Sequence, residues 1–147
     1  MLLPLLFSRD MKRRILIADN DEQLNRINAK VLTAAGIVDD LRIVNNGRDA
    51  INYLQHCLVE NKPMPDIIIF DLALPTLDGF GLIDAYERLD FPGKEDIQLV
   101  VFTASSNPGD RQKAASRGIR HYVNKPYLLR NLKDIIMRSP RPTHTLS

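Results

Sequence analysis

The chain has one cysteine, Cys57, and no tryptophan. A single cysteine rules out an intrachain disulfide. The only histidines, His56, His121 and His144, do not complete a Cys/His zinc pattern with it. Cys57 lies in an apolar helical stretch and reads as buried filler rather than as a nucleophile. A reducing cytoplasm is the expected compartment. Long apolar runs are also missing. Met1–Phe7 is apolar but is broken by Pro4, and a bilayer span needs about 20 apolar residues. Arg9, Lys12, Arg13 and Arg14 follow this run, whereas a signal peptide carries its positive charge before it. No membrane association is expected. Charge of one sign is lacking too. The 20 Lys+Arg nearly balance the 18 Asp+Glu, giving +2, so the total charge does not call for nucleic acid as a direct partner.

What is present is ordinary for a folded domain. The 147 residues are 44% hydrophobic and 26% charged, which suits one domain with its own core. Residues 1–11 read as an N-terminal extension, 12–138 as the domain, and 139–147 as a frayed, disordered tail.

Short apolar runs alternate with helical periodicity along the domain. Strands are expected at 14–18, 41–44, 66–70, 97–102 and 119–123. The first helix should point Leu24, Ile27, Val31 and Ala34 inward, stopping at Gly36, and Asn20 with Gln23 fits a capping box at its start. The second, 49–60, should bury Ala50, Leu54, Cys57 and Leu58. The third, after Gly79, should bury Leu82, Ile83, Tyr86 and Leu89. A short fourth helix is expected at 108–117, and a fifth at 127–137 burying Leu128, Leu132, Ile135 and Ile136. Five strand–helix units in succession imply an α/β fold with a parallel sheet covered on both faces.

In such sheets ligands gather at the carboxyl ends of the strands. Asp19 and Asn20 follow the first strand, Asp71 the third, Thr103 the fourth and Lys125 the fifth. Singly, most have a plain structural reading as turn, cap or solvated residues. Asp71 is harder to dismiss, because a carboxylate ending a strand this apolar is costly to bury unpaired.

These segments carry a resemblance. ILIADND (15–21), PDIIIFDLALPTLDGFG (65–81), VVFTAS (100–105) and HYVNKP (121–126) resemble the receiver domain of two-component response regulators. The resemblance covers about Lys12 to Arg138. It implies a flavodoxin-like (βα)5 fold, a doubly wound parallel five-stranded sheet of order 2-1-3-4-5. It also implies that Asp71 is the phosphoacceptor, taking a phosphoryl group from a sensor histidine kinase or a histidine phosphotransfer protein. Mg2+ would be the cofactor, bound by Asp19, Asn20, Asp71 and the backbone carbonyl of Ala73. Lys125 would pair with the phosphoryl oxygens. Thr103 and Tyr122 would form the switch, and Lys125–Pro126 matches the family's cis bond. The chain would be no enzyme beyond autocatalytic phosphoacceptance and aspartyl-phosphate hydrolysis. About nine residues follow the fifth helix, so a stand-alone receiver is expected. It would dock a downstream partner or relay phosphate, and homodimerisation on phosphorylation stays open.

One departure stands out: the second residue of the acidic pair is Asn20, which carries no charge. A receiver-like module that binds without phosphorylation is therefore the alternative reading. A haloacid-dehalogenase-type phosphatase fits poorly, since position 73 is alanine where a second acid is needed. No GxGxxG loop follows the first strand.

Charge is also uneven along the chain. Residues 1–109 hold 11 basic and 16 acidic groups, whereas 110–138 hold 8 basic and 2 acidic. The basic part covers the fourth helix, fifth strand and fifth helix, the face that receivers commonly present to partners. A partner with an acidic patch is the expected match.

Overall fold

A computed structural model describes residues 12–125 and 129–138. The strands are β1 (Arg13–Ala18), β2 (Val38–Val44), β3 (Ile67–Phe70), β4 (Gln98–Thr103) and β5 (His121–Asn124). The helices are α1 (Glu22–Ala35), α2 (Gly47–Val59), α3 (Gly79–Arg88), α4 (Pro108–Ser116) and α5 (Leu129–Arg138). The sheet order is β2-β1-β3-β4-β5, with each neighbouring pair parallel. This is the flavodoxin-like (βα)5 order. The extension, the tail, Leu128 and the Lys125–Pro126 bond lie outside the described residues.

Strand alternation divides the core between the two faces of the sheet. Leu16, Ala18, Ile68, Phe70 and Val101 pack with Ala50, Leu54, Leu82, Ile83, Tyr86 and Ala114 from α2, α3 and α4. Ile15, Ile17, Ile67, Ile69, Val100 and Phe102 pack with Leu32, Leu132 and Ile136 from α1 and α5. The central strands are buried on both sides, which is why their sequences read as continuous apolar runs. Cys57 is buried and free.

Several local expectations are corrected. The face of α1 turned inward is Asn25, Asn28 and Leu32, while Ile27 is 42% exposed and Ala34 is exposed. The helix is rotated so that Asn25 Nδ2 can donate to Asp19 O at 2.7 Å. A buried carbonyl beside the strand end needs that donor, and its demand overrides the count of apolar residues. The N-cap of α1 is Asp21, whose carboxylate accepts from Leu24 N at 3.0 Å, and not Asn20. Leu58 and Leu89 are half-buried rather than core.

β5 starts at His121 because Gly118 and Ile119 close α4 instead. Gly118 has φ +87°, with Gly118 N donating to Ala115 O and Ile119 N to Ala114 O. That is a Schellman ending, and it folds Ile119 back onto the helix. The 90–96 stretch contains one 3-10 turn, Lys94–Asp96.

The loop from β3 to α3 is held from both sides. Thr76 has φ +68°, and Leu77 N donates to Pro75 O at 2.7 Å, a strained three-residue turn for a β-branched residue. Gly47, at the start of α2, abuts it. A Cβ there would lie 1.8 Å from Leu77 O. Gly79 likewise leaves no room for a side chain, since its Cβ would lie 2.7 Å from Asp71 O. Gly47→Ala is expected to cost about 2 kcal/mol or more through backbone displacement. Denaturant unfolding should show this as a lowered midpoint.

Candidate functional site at the carboxyl edge of the sheet

Ala18 and Phe70 are register partners, so Asp19 and Asp71 leave adjacent strands side by side. Asp71 N donates to Ala18 O at 3.1 Å, and Asp19 N to Val44 O at 3.0 Å. Both carboxylates are almost enclosed, at 5% exposure for Asp19 and 6% for Asp71. Such groups need partners. Lys125 supplies one to each. Its Nζ lies 2.6 Å from Asp19 Oδ2 and 2.8 Å from Asp71 Oδ2. The remaining oxygens accept backbone N–H groups: Asp21 N to Asp19 Oδ1 at 3.0 Å, and Ala73 N to Asp71 Oδ1 at 3.1 Å.

Lys125 reaches the pair because its own N–H donates to Thr103 O at 2.7 Å, continuing the β4–β5 ladder beyond Asn124. Burial alone pulls its pKa down, but its hydrogen bonds and attraction to Asp19 and Asp71 together outweigh this and hold it above the ordinary lysine value.

Thr103 is the last residue of β4 and is buried, with Oγ1 accepting from Ser105 N at 3.3 Å. Tyr122 packs against the face covered by α2, α3 and α4. Its hydroxyl oxygen is buried without a hydrogen bond of good geometry. Burial, and then the Asp110 carboxylate, push its pKa up, against weaker opposing pulls from the Ser105 hydroxyl and Arg111. The Arg111 guanidinium lies 4.6 Å from the Tyr122 ring centre and donates to Tyr122 O.

The structure thus joins Asp19, Asp71 and Lys125 by direct contact and places Thr103 on the neighbouring strand end. It does not bring Asn20 into the cluster. Asn20 is exposed, and its side chain makes no hydrogen bond among the described residues. Ala73 lies exposed at the rim. Asn25 was not anticipated, because polar residues on a helix carry no mark of the carbonyl they will meet. Ser105, Asp110 and Asn124 were also missed. Asn107 caps α4 and Pro108 opens it.

The model for the response regulator receiver domain matches residues 15–137. The chain belongs to this family. Among solved structures, this receiver resembles a two-component response regulator from Cytophaga hutchinsonii at 29% identity and TM-score 0.72, covering 86% of this chain and 98% of that one. It also resembles the Mn2+-bound form of response regulator Rcp1 at 26% identity and TM-score 0.72, covering 89% and 99%. A curated relative, the probable transcriptional regulator ycf27 of Pyropia yezoensis, is 26% identical over 141 residues, 93% of this chain and 53% of that protein. The receiver therefore spans about half the length of the first curated relatives it matches. No helix among the described residues is long and apolar enough to cross a membrane.

The two carboxylates that meet here, Asp19 and Asp71, offer only oxygen, which suits a hard divalent cation. Among the described residues no group of three or more His, Cys, Asp or Glu side chains gathers.

Lys125 should contribute stability with a defined pH window. Its folded pKa is raised, so the contribution is complete below the unfolded value of about 10.4. It is lost as pH rises through the folded value. Lys125→Met should lower the unfolding free energy at pH 7, measured by denaturant titration, by about 3 kcal/mol for two buried carboxylates left without their cation. Above pH 7 the gap from wild type should hold until the lysine titrates, and narrow beyond that.

Proposed function

We propose that this receiver takes a phosphoryl group onto Asp71 from the phosphohistidine of a sensor histidine kinase or a histidine phosphotransfer protein. The observation that supports this most is the setting of Asp71. It is a buried carboxylate at a strand end, held between the Ala73 N–H and the Lys125 ammonium. One Asp71 oxygen forms the new P–O bond as the donor's P–N bond breaks, and the donor histidine leaves as imidazole. Lys125 then trades a carboxylate for phosphoryl oxygens, keeping its charge paired. Thr103 offers a hydroxyl from the next strand end, and its movement would free space for Tyr122. Hydrolysis returns Asp71 to a carboxylate, so the chain acts as a stoichiometric phosphoacceptor and not as an enzyme.

Asp19, Asp71 and the Ala73 carbonyl would hold Mg2+, with Asn20, exposed beside them, reached through water. The cation would neutralise repulsion between a carboxylate and an anionic phosphoryl group. The basic face of α4, β5 and α5 would dock a downstream partner that carries acidic groups. The cytoplasm, where sensor kinases present their phosphohistidine, is the proposed location. Asn20, exposed and uncharged, favours one other reading: a module that docks without phosphorylation.

Incubation with Mg2+ and acetyl phosphate should add one phosphoryl group by intact mass, and Asp71→Asn should abolish it. Absence of an adduct from acetyl phosphate and from a phosphorylated histidine phosphotransfer protein would leave the docking module standing. Asn20→Asp adds a third acid beside the site. It should tighten Mg2+ binding about tenfold in a calorimetric titration, the order expected for one more carboxylate about 6 Å from a divalent cation in a water-like dielectric.

A further inference from the structure

The loop between β4 and α4 is tied down by Ser105. All four of its polar functions are used. Its N–H donates to Thr103 Oγ1 at 3.3 Å, and its hydroxyl donates to Asp110 Oδ2 at 2.5 Å. That hydroxyl also accepts from Asn107 N at 3.3 Å, and its carbonyl accepts from Asn124 Nδ2 at 2.6 Å. The anchors lie on different elements. Asp110 belongs to the first turn of α4, and Asn124 ends β5 immediately before Lys125. The loop thereby fastens the start of α4 to the end of β5, with the Thr103 hydroxyl held at its centre as an acceptor.

We propose that Ser105 and Asp110 form a latch that holds the Thr103 hydroxyl in its resting position and so sets the cost of switching. This rests on the reading of Asp71 as the phosphoacceptor and Thr103 as its responding hydroxyl. For Thr103 to turn its oxygen towards a group on Asp71, the Ser105 N–H must lose its acceptor. The loop cannot follow Thr103 while the Ser105 hydroxyl is bound to Asp110 and its carbonyl to Asn124. Tyr122 is tied to the same restraint. Its ring lies under the guanidinium of Arg111, the residue after Asp110 in α4, which also donates to Tyr122 O. Ser105 and Asp110 are positioning residues. They act on the site through Thr103.

A latch of this kind makes an unusual demand: breaking it should improve binding at the site. The probe is beryllium trifluoride with Mg2+, a phosphoryl mimic, titrated into the full chain and followed by calorimetry. Ser105→Ala removes the hydroxyl bonds but keeps the N–H, the carbonyl and the net charge. It should tighten the mimic about fivefold, the worth of one hydrogen bond of ordinary net strength. Asp110→Ala should do the same. In a Thr103→Ala background the Ser105→Ala gain should vanish, because no hydroxyl remains to be released.

Unchanged or weaker binding in both single variants, with wild type binding normally, overturns the latch and leaves the phosphoacceptor reading intact. A gain from Asp110→Ala alone also overturns it, since that is the effect of removing a negative charge. So does a gain that persists without the Thr103 hydroxyl. If wild type does not bind the mimic, or Asp71→Asn binds it equally well, the phosphoacceptor reading fails and the latch fails with it. A variant that only loosens the fold weakens binding, so a tightening cannot come from damage.

Discussion

One ammonium group holds two buried carboxylates together at the carboxyl edge of the sheet. Asp19 and Asp71 emerge from register-matched strands, where parallel pairing leaves no freedom to separate them. Two enclosed negative charges would repel at short range without a cation between them. Lys125 supplies it from the end of β5, two strands from β3 and three from β1, at 2.8 Å from Asp71 and 2.6 Å from Asp19. The rest of the architecture serves this contact. The β4–β5 ladder delivers the lysine, Asn25 steadies the carbonyl of Asp19, and Ala73 N–H steadies Asp71.

The same edge divides into a side held by backbone packing and a side held by side-chain hydrogen bonds. On the first side, Gly47 and Gly79 let backbone pack against the loop that carries Asp71 and Ala73. A strained turn at Thr76 persists there because its surroundings give it no room to relax. On the other side, the loop after Thr103 is held by side-chain hydrogen bonds around Ser105, several of them partly exposed. Bonds of that sort exchange with water at small net cost. The proposed phosphoacceptor role would need both properties: a nucleophile that stays in place and a neighbour that can respond.

Charge distribution follows the same division. The cations of α4 are partly committed to aromatic rings, Lys113 over Phe80 and Arg111 over Tyr122. Arg117 pairs with Asp84 of α3 and also donates to Phe80 O. The basic face is therefore partly organised by contacts across elements rather than left as a set of free charges. Movement of Tyr122 or of α4 would redistribute those contacts, which links the site to the face proposed for docking.

The strand–helix alternation, the strand-end positions of Asp19, Asp71, Thr103 and Lys125, and the two-faced core were legible in the chain, because period and apolar run length are local properties. The resemblance carried the sheet order. The inward face of α1 was not legible. Apolar spacing selected Ile27 and Ala34, but the fold turned Asn25 and Asn28 inward, since a buried carbonyl at Asp19 outweighed two apolar contacts. Asn20 read as the cap of α1, yet the cap is Asp21. The Ser105 cluster was invisible for the same reason. By itself the sequence determined which residues stand at the edge of the sheet. Only the tertiary structure decided which of them touch, because hydrogen bonds between residues as far apart as Asp19 and Lys125 depend on strand register and helix rotation, and neither is written in local spacing.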